Sequence, residues 1–181
     1  MAHQTQAGWL AINNATPDQA RALLQRACGS ARWVERIMAR RPFANDAALK
    51  AAAREEWFAL TEGDWLEAFS HHPKIGDRAA LAARFPATHH LSEKEQAGVG
   101  SASDVVLDAL ADANQTYLDR FGFIFIVCAT GKTADQMLQL LRDRLGNDRA
   151  TELRIAAEEQ AKITALRLQE PIADSPLPAD C

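Results

Sequence analysis

Apolar side chains recur every three or four residues along most of the chain, which is the pattern of helices that bury one face. Capping sequences mark several helix starts, because Thr16 and Thr133 are each followed three residues later by a glutamine. Gly29, Pro42 and Gly146 are typical stop signals. We predict helices over the following ranges: 16–29, 30–41, 45–60, 64–70, 78–85, 92–120, 133–146 and 147–171.

Two stretches interrupt this pattern. Gly98 and Gly100 weaken the expectation that the helix starting at Ser92 continues unbroken into the one over 104–120. Residues 121–128, Phe-Gly-Phe-Ile-Phe-Ile-Val-Cys, have the composition of a strand, but no other segment offers a β partner. We therefore expect an extended buried segment near 121–129, or a strongly apolar helix start there.

The sum is an all-α fold of about eight helices in a single domain over residues 1–171. Residues 172–181 carry Pro176 and Pro178 and are expected to form a flexible tail. Within 181 residues, 48% are hydrophobic and 24% are charged, which is ordinary for a globular domain that can bury one sizeable core.

Charge and cysteine usage narrow the possible partners and the compartment. The formal net charge is −4 and the basic residues are spread along the chain, so we expect no nucleic-acid partner. The longest apolar run is too short to span a bilayer, and we expect no membrane association. Three cysteines without Cys-x-x-Cys spacing, and no secretory leader pattern, favour a cytoplasmic location.

The segment His71-His72-Pro73-Lys74-Ile75-Gly76-Asp77 is the first candidate for chemistry. Pro73 disfavours helical geometry at the residue before it, so His72 should stand at a helix end. An imidazole there titrates near neutral pH and can move protons. Downstream, Ser92 and Glu95 have capping-box spacing, and the helix N-terminus that they mark attracts anionic ligands. Gln96 adds a donor and an acceptor.

Some of these motifs also fit other functions. Gly131-Lys132-Thr133 lacks the earlier glycine of a phosphate-binding loop, since Ile126 stands at that position. The pairs His71-His72 and His89-His90 would suit a metal-dependent hydrolase, although their spacing matches no zinc motif. A helical adaptor without catalytic activity is a further alternative, and it predicts a large exposed apolar face.

Taken together, the motifs resemble those of the OHCU decarboxylases. The resemblance lies in His72-Pro73-x-Ile75-Gly76, in Ser92-x-x-Glu95-Gln96-x-Gly98, and in the stretch from Asn114 through Tyr117 and Arg120 to Phe125. Arg41-Pro42-Phe43 and Ile163-x-x-Leu166-Arg167-Leu168 also fit, so that the likeness runs from about residue 9 to residue 170.

The resemblance implies an all-helical homodimer that decarboxylates 2-oxo-4-hydroxy-4-carboxy-5-ureidoimidazoline without a cofactor or metal. The products would be (S)-allantoin and carbon dioxide, in the degradation of urate. The family's catalytic residues fall on His72 and Glu95. Its substrate contacts fall on the following residues: Pro73, Ser92, Gln96, Phe125, Ile126, Val127, Cys128 and Ala129. Thr130 stands where some members have arginine, so no guanidinium role carries over.

This chemistry suits the residue types. Losing the carboxylate as carbon dioxide leaves an electron pair that the substrate ring must absorb, and the new centre must then be protonated from one face. We expect His72 to transfer protons, while Glu95 orients the substrate hydroxyl or shares in the proton transfer. The apolar stretch near 125–129 would form a pocket wall that favours loss of the negative charge.

Overall fold

The computed structural model describes residues 8–72 and 93–169, with side chains from residue 104 onward in the second range. The described residues form eight helices and no β-strand, so the predicted all-α class is confirmed. The helices are α1 (Gly8–Asn14), α2 (Pro17–Ala27), α3 (Ala31–Ala39), α4 (Asp46–Phe58), α5 (Glu62–Ser70), α6 (Glu93–Phe121), α7 (Ala134–Arg144) and α8 (Arg149–Arg167).

Helix starts follow the local capping chemistry. The Thr16 hydroxyl accepts from the backbone N–H of Gln19 at 3.4 Å, and the Gln19 side chain accepts from the Thr16 N–H at 3.0 Å. Thr133 and Gln136 repeat this reciprocal pair before α7. Thr61 caps α5 in the same way, so this helix begins at Glu62, two residues before the predicted start.

Helix α1 was not predicted. It has little room for a helical pattern in seven residues, and tertiary contacts hold it in place. Ile12 is buried, and the Asn13 side chain bonds both the carbonyl and the N–H of Phe43, at 2.7 and 2.9 Å. Gly8 lies so close to the end of α8 that a Cβ there would be 1.9 Å from the Leu168 carbonyl oxygen.

The core contains the tryptophans expected at apolar helical positions. Trp33 and Trp57 are fully buried, and each indole N–H donates to a backbone carbonyl, at 3.0 Å to Ala53 and at 2.9 Å to Ala157. The second of these bonds joins α4 to α8. Trp65 is half-buried and its ring centroid lies 6.0 Å from that of Trp57. Burying these large rings, each with its polar nitrogen satisfied, fixes α3, α4, α5 and α8 against one another.

The longest helix runs through both glycines. Helix α6 continues from Glu93 to Phe121 through Gly98 and Gly100, so the predicted weakness there does not break it. It ends where Gly122 takes a φ of +77°, a conformation that glycine adopts at little cost. Residues 123–129 then have neither helical nor strand structure, while Phe123, Phe125, Ile126 and Val127 are buried. The expected helix start at this stretch is therefore wrong, and the alternative of a non-helical buried segment holds.

No helix in the described ranges combines the length and apolar character needed to cross a membrane. The expected flexible tail and the predicted helix over 78–85 lie outside the described residues.

Candidate functional site

His72 stands immediately beyond the C-terminus of α5, as the proline after it predicts. His71 is the C-cap residue of that helix, and the His72 backbone N–H donates to the Phe69 carbonyl at 3.1 Å. His71 is exposed, whereas His72 is half-buried. The two neighbouring imidazoles therefore occupy different environments, and His72 is the one directed towards the protein interior.

A buried amide holds the imidazole of His72. Its Nε2 lies 2.5 Å from Oε1 of Gln160, which is completely buried in α8. The Gln160 side-chain NH2 donates to the Thr164 hydroxyl at 3.2 Å. The thiol of Cys28 is also buried, and burial raises its pKa to about 12, so this cysteine stays protonated and unreactive at neutral pH.

The turn that carries the histidines packs closely on the start of α3. A Cβ at Gly29 would lie 2.7 Å from the His71 Cβ, so only glycine fits there without displacing the turn. Gly29 was predicted as a helix stop, and its additional role is this close approach.

The non-helical segment is tied down through its backbone. An Arg144 NH group donates to the Ile126 carbonyl at 2.8 Å, and the Cys128 N–H donates to the Glu159 carboxylate at 2.7 Å. Lys132 Nζ donates to the Cys128 carbonyl at 2.6 Å. Because side chains supply the partners that a neighbouring strand would otherwise give, the segment needs no β-sheet.

The Glu159 carboxylate is held as an anion. Burial acts to raise its pKa, but hydrogen bonds from Lys162 and from the Cys128 N–H outweigh burial and leave the pKa below its ordinary value. Lys162 Nζ lies 2.5 Å from the other carboxylate oxygen. The segment is thus anchored by a charge-assisted hydrogen bond, which is stronger than a neutral one.

A buried ionic network of Tyr117, Arg144 and Glu152 packs against the non-helical segment. Arg144 donates to the fully buried Glu152 at 2.6 Å, and the Tyr117 hydroxyl donates to the same carboxylate. Burial raises the pKa of Tyr117 well above its usual range, so the phenol remains a hydrogen-bond donor. The Arg144 guanidinium also lies 4.6 Å from the centroid of the Phe125 ring.

Helix α8 connects the histidine to the segment. Glu159 holds Cys128, and the next residue, Gln160, holds His72. The Phe69 ring, one turn before His72, lies 5.6 Å from the Phe123 ring. The structure therefore brings His72 and the stretch from Phe125 to Ala129 into one framework, with Phe125, Ile126 and Val127 buried and Cys128 and Ala129 half-buried.

The remaining predicted site residues lie wholly or partly outside the part of the chain that the structure describes. Pro73, Ser92 and the pair His89-His90 lie outside the described residues. Glu95 and Gln96 lie in the first turn of α6, but their side chains are outside the described set. The meeting of His72 with Ser92, Glu95 and Gln96 stays a prediction.

The family motifs do not include the residues that hold His72 and the non-helical segment, although the sequence carries a signal for them. Gln160 and Thr164 stand four residues apart, in line with the buried Ala156 and Leu168, and Glu152 begins the same row. Polar residues within an apolar helical stripe are buried and need partners, which marks them as candidates for a site. Among the described residues, no group of three histidine, cysteine or acidic side chains is placed to hold a metal ion.

Comparison with known proteins agrees with the motifs. The OHCU decarboxylase family model matches residues 13–169. A uric acid degradation bifunctional protein from Arabidopsis thaliana is 36% identical over 148 residues, covering 81% of this chain and 45% of the relative. This chain thus spans less than half the length of that relative. A 2-oxo-4-hydroxy-4-carboxy-5-ureidoimidazoline decarboxylase from Amia calva is 35% identical over 136 residues, covering 72% of this chain and 74% of the relative.

Solved structures show the same architecture. A crystal structure of an OHCU decarboxylase in the presence of (S)-allantoin superposes with a TM-score of 0.64 at 34% identity, covering 85% of this chain and 96% of that one. An (S)-allantoin synthase structure, at 19% identity and a TM-score of 0.63, supports the fold. With the family model matched over most of its length, the chain belongs to the OHCU decarboxylase family.

Proposed function

We propose that this protein decarboxylates 2-oxo-4-hydroxy-4-carboxy-5-ureidoimidazoline to (S)-allantoin and carbon dioxide without a cofactor, and that His72 transfers the proton. The observation that supports this most directly is the bond between His72 and the completely buried Gln160, in a chain of the OHCU decarboxylase family. A surface histidine without a function has no need of a buried amide partner, which carries a desolvation cost.

The reaction balances with one proton. The bond between the ring carbon and the carboxylate breaks, carbon dioxide leaves, and the electron pair remains on the conjugated ring. One proton from His72 then reaches the new centre, and delivery from a fixed side chain makes the product a single enantiomer. Residues 125–129 would line the site as an apolar wall. Such a wall destabilises the charged carboxylate of the bound substrate and so favours its loss as neutral carbon dioxide.

Glu95, Ser92, Gln96 and Pro73 complete the proposed site. Glu95 orients the substrate hydroxyl, while Ser92 and Gln96 bind polar groups at the N-terminus of α6, where the helix dipole favours an anion. Pro73 is a further substrate contact, as the family motif implies. The homodimer and the cytoplasmic location expected from the sequence belong to this proposal.

Replacing His72 tests the assignment. We expect His72→Asn to lower kcat by about 10²–10⁴-fold, the usual contribution of general acid–base catalysis, while the fold is retained. The substrate must be supplied fresh from urate by the upstream enzymes, and circular dichroism then follows the (S)-allantoin formed. His71→Ala is the matched control, because the adjacent imidazole is exposed. Near-normal turnover by His72→Asn would contradict the proposal.

Glu95→Gln tests the second catalytic role. We expect kcat to fall at least tenfold, because an amide cannot share the proton transfer as a carboxylate can. The capping-box position means that the substitution also affects the start of α6, so urea unfolding of the same variant is needed. A loss of stability with kcat unchanged would leave Glu95 with a structural role alone.

A further inference from the structure

We propose that Gln160 is a positioning residue that fixes the hydrogen of His72 on Nε2, and that Nδ1 is therefore the nitrogen that exchanges the proton with the substrate. This inference rests on the proposed function of His72. It adds a residue from a distant helix and assigns the reacting atom of the imidazole.

The direction of the hydrogen bonds is set at Thr164. The Gln160 NH2 donates to the Thr164 hydroxyl at 3.2 Å, and the Gln160 Oε1 faces His72. In this orientation both polar ends of the buried amide have a partner.

The tautomer of His72 follows from that orientation. An amide oxygen only accepts hydrogen bonds, and it lies 2.5 Å from Nε2 of His72, so Nε2 carries a hydrogen. In the neutral imidazole the other nitrogen, Nδ1, is then the basic one. A second partner that fixes the tautomer is a common feature of functional histidines.

The proton transfer needs only His72, the substrate and water. In the protonated imidazole, the Nδ1–H gives its proton to the ring carbon that kept the electron pair from the broken carbon–carboxylate bond. His72 returns to the neutral Nε2–H form without changing its bond to Gln160, and water restores the proton on Nδ1. Because Gln160 is uncharged, it sets the orientation without adding a second charge to the apolar interior.

Nitrogen NMR of protein labelled with ¹⁵N-histidine reads the tautomer directly, with His72→Asn identifying the His72 signals. We expect the neutral wild-type imidazole to be protonated at Nε2. In Gln160→Leu this preference should be lost, and kcat should fall about 10–100-fold with little change in KM, a loss of the size found for partners that orient the histidine ligands of metal sites. A neutral His72 protonated at Nδ1 in the wild type would overturn the proposal.

Thr164 gives a second, milder test that does not remove the buried amide. Thr164→Val lets the amide turn over and should weaken the Nε2–H preference and lower kcat, whereas Thr164→Ser, which keeps the hydroxyl, should restore both. Gln139→Leu repeats the glutamine substitution on an exposed position of α7 and should leave both unchanged. Loss of stability in Thr164→Val with tautomer and kcat unaltered would show a purely structural role.

The NMR and kinetic results separate the two claims. If His72→Asn kept its turnover, the proposed function of His72 would fail even with the Nε2–H form present in the wild type. If His72→Asn lost turnover while Gln160→Leu kept both the tautomer and kcat, the role of Gln160 alone would fail.

Discussion

A single carboxylate, that of Glu159, shows how one side chain can stabilise a segment without regular structure. It accepts the Cys128 N–H at 2.7 Å and is paired with Lys162 at 2.5 Å. Sequence alone could place Glu159 on a helix, but not opposite a particular backbone N–H that is 31 residues away. Such contacts depend on how α8 packs, which local patterns do not encode.

The charge on Glu159 gives stability a predictable pH dependence. The pKa of this carboxyl in the folded protein is below its ordinary value of 4.5, so ionised Glu159 stabilises the fold above about pH 4.5, and the contribution is lost as the pH falls through the lowered pKa. Glu159→Gln removes the charge and keeps an acceptor. We expect the variant to be less stable than the wild type at pH 7, with a difference that shrinks as the pH falls below 4.5.

Urea unfolding at a series of pH values measures this difference. Glu158→Gln is the matched control, because its carboxylate forms an exposed ion pair with Arg54 and such pairs contribute little. A difference between wild type and Glu159→Gln that stayed constant from pH 7 to pH 3 would show that the charge does not stabilise the folded protein.

At the scale of elements, helix boundaries were the most predictable feature. Thr16 and Thr133 form the expected capping boxes, and Ser30, Asn45 and Asp148 cap α3, α4 and α8. Capping depends on residues that are close together in the sequence, so the positions of these helix starts do not depend on distant contacts. Helix α1 was missed because its stability comes from contacts with Phe43 and the end of α8, far away along the chain.

The docking of α1 can be tested at Gly8. A Cβ there would be 1.9 Å from the Leu168 carbonyl oxygen, which is backbone and cannot move aside. We expect Gly8→Ala to lower the free energy of unfolding by about 1–3 kcal/mol, the usual cost of overpacking. Urea unfolding measures the change.

Gly63 is the natural comparison for Gly8. It lies in the first turn of α5, and the nearest atom to an added Cβ is the Thr61 hydroxyl oxygen, at 3.8 Å. Gly63→Ala should therefore be neutral or stabilise the protein by about 0.5 kcal/mol, through the smaller entropy of the unfolded chain. Equal effects of the two substitutions would argue against close packing of α1 on α8.

For the whole molecule, the class of fold and the family were within reach of the sequence, because helical periodicity and short motifs are both local. The framework of the site was not. Gln160 meets His72 across 88 positions, and Arg144 reaches Ile126 from another helix. The family motifs identify residues that contact the substrate, whereas the residues that hold them appear in the sequence only as polar positions on buried helical faces.

That long separation has a consequence for synthesis on the ribosome. Helices α2 to α5 carry their own N-caps and can begin to form as they emerge, but the bond between the His72 imidazole and Gln160 cannot form until residue 160 has been translated. Nascent chains shorter than this can be largely helical and still lack the histidine geometry, so catalytic competence should be among the last properties that the growing polypeptide acquires.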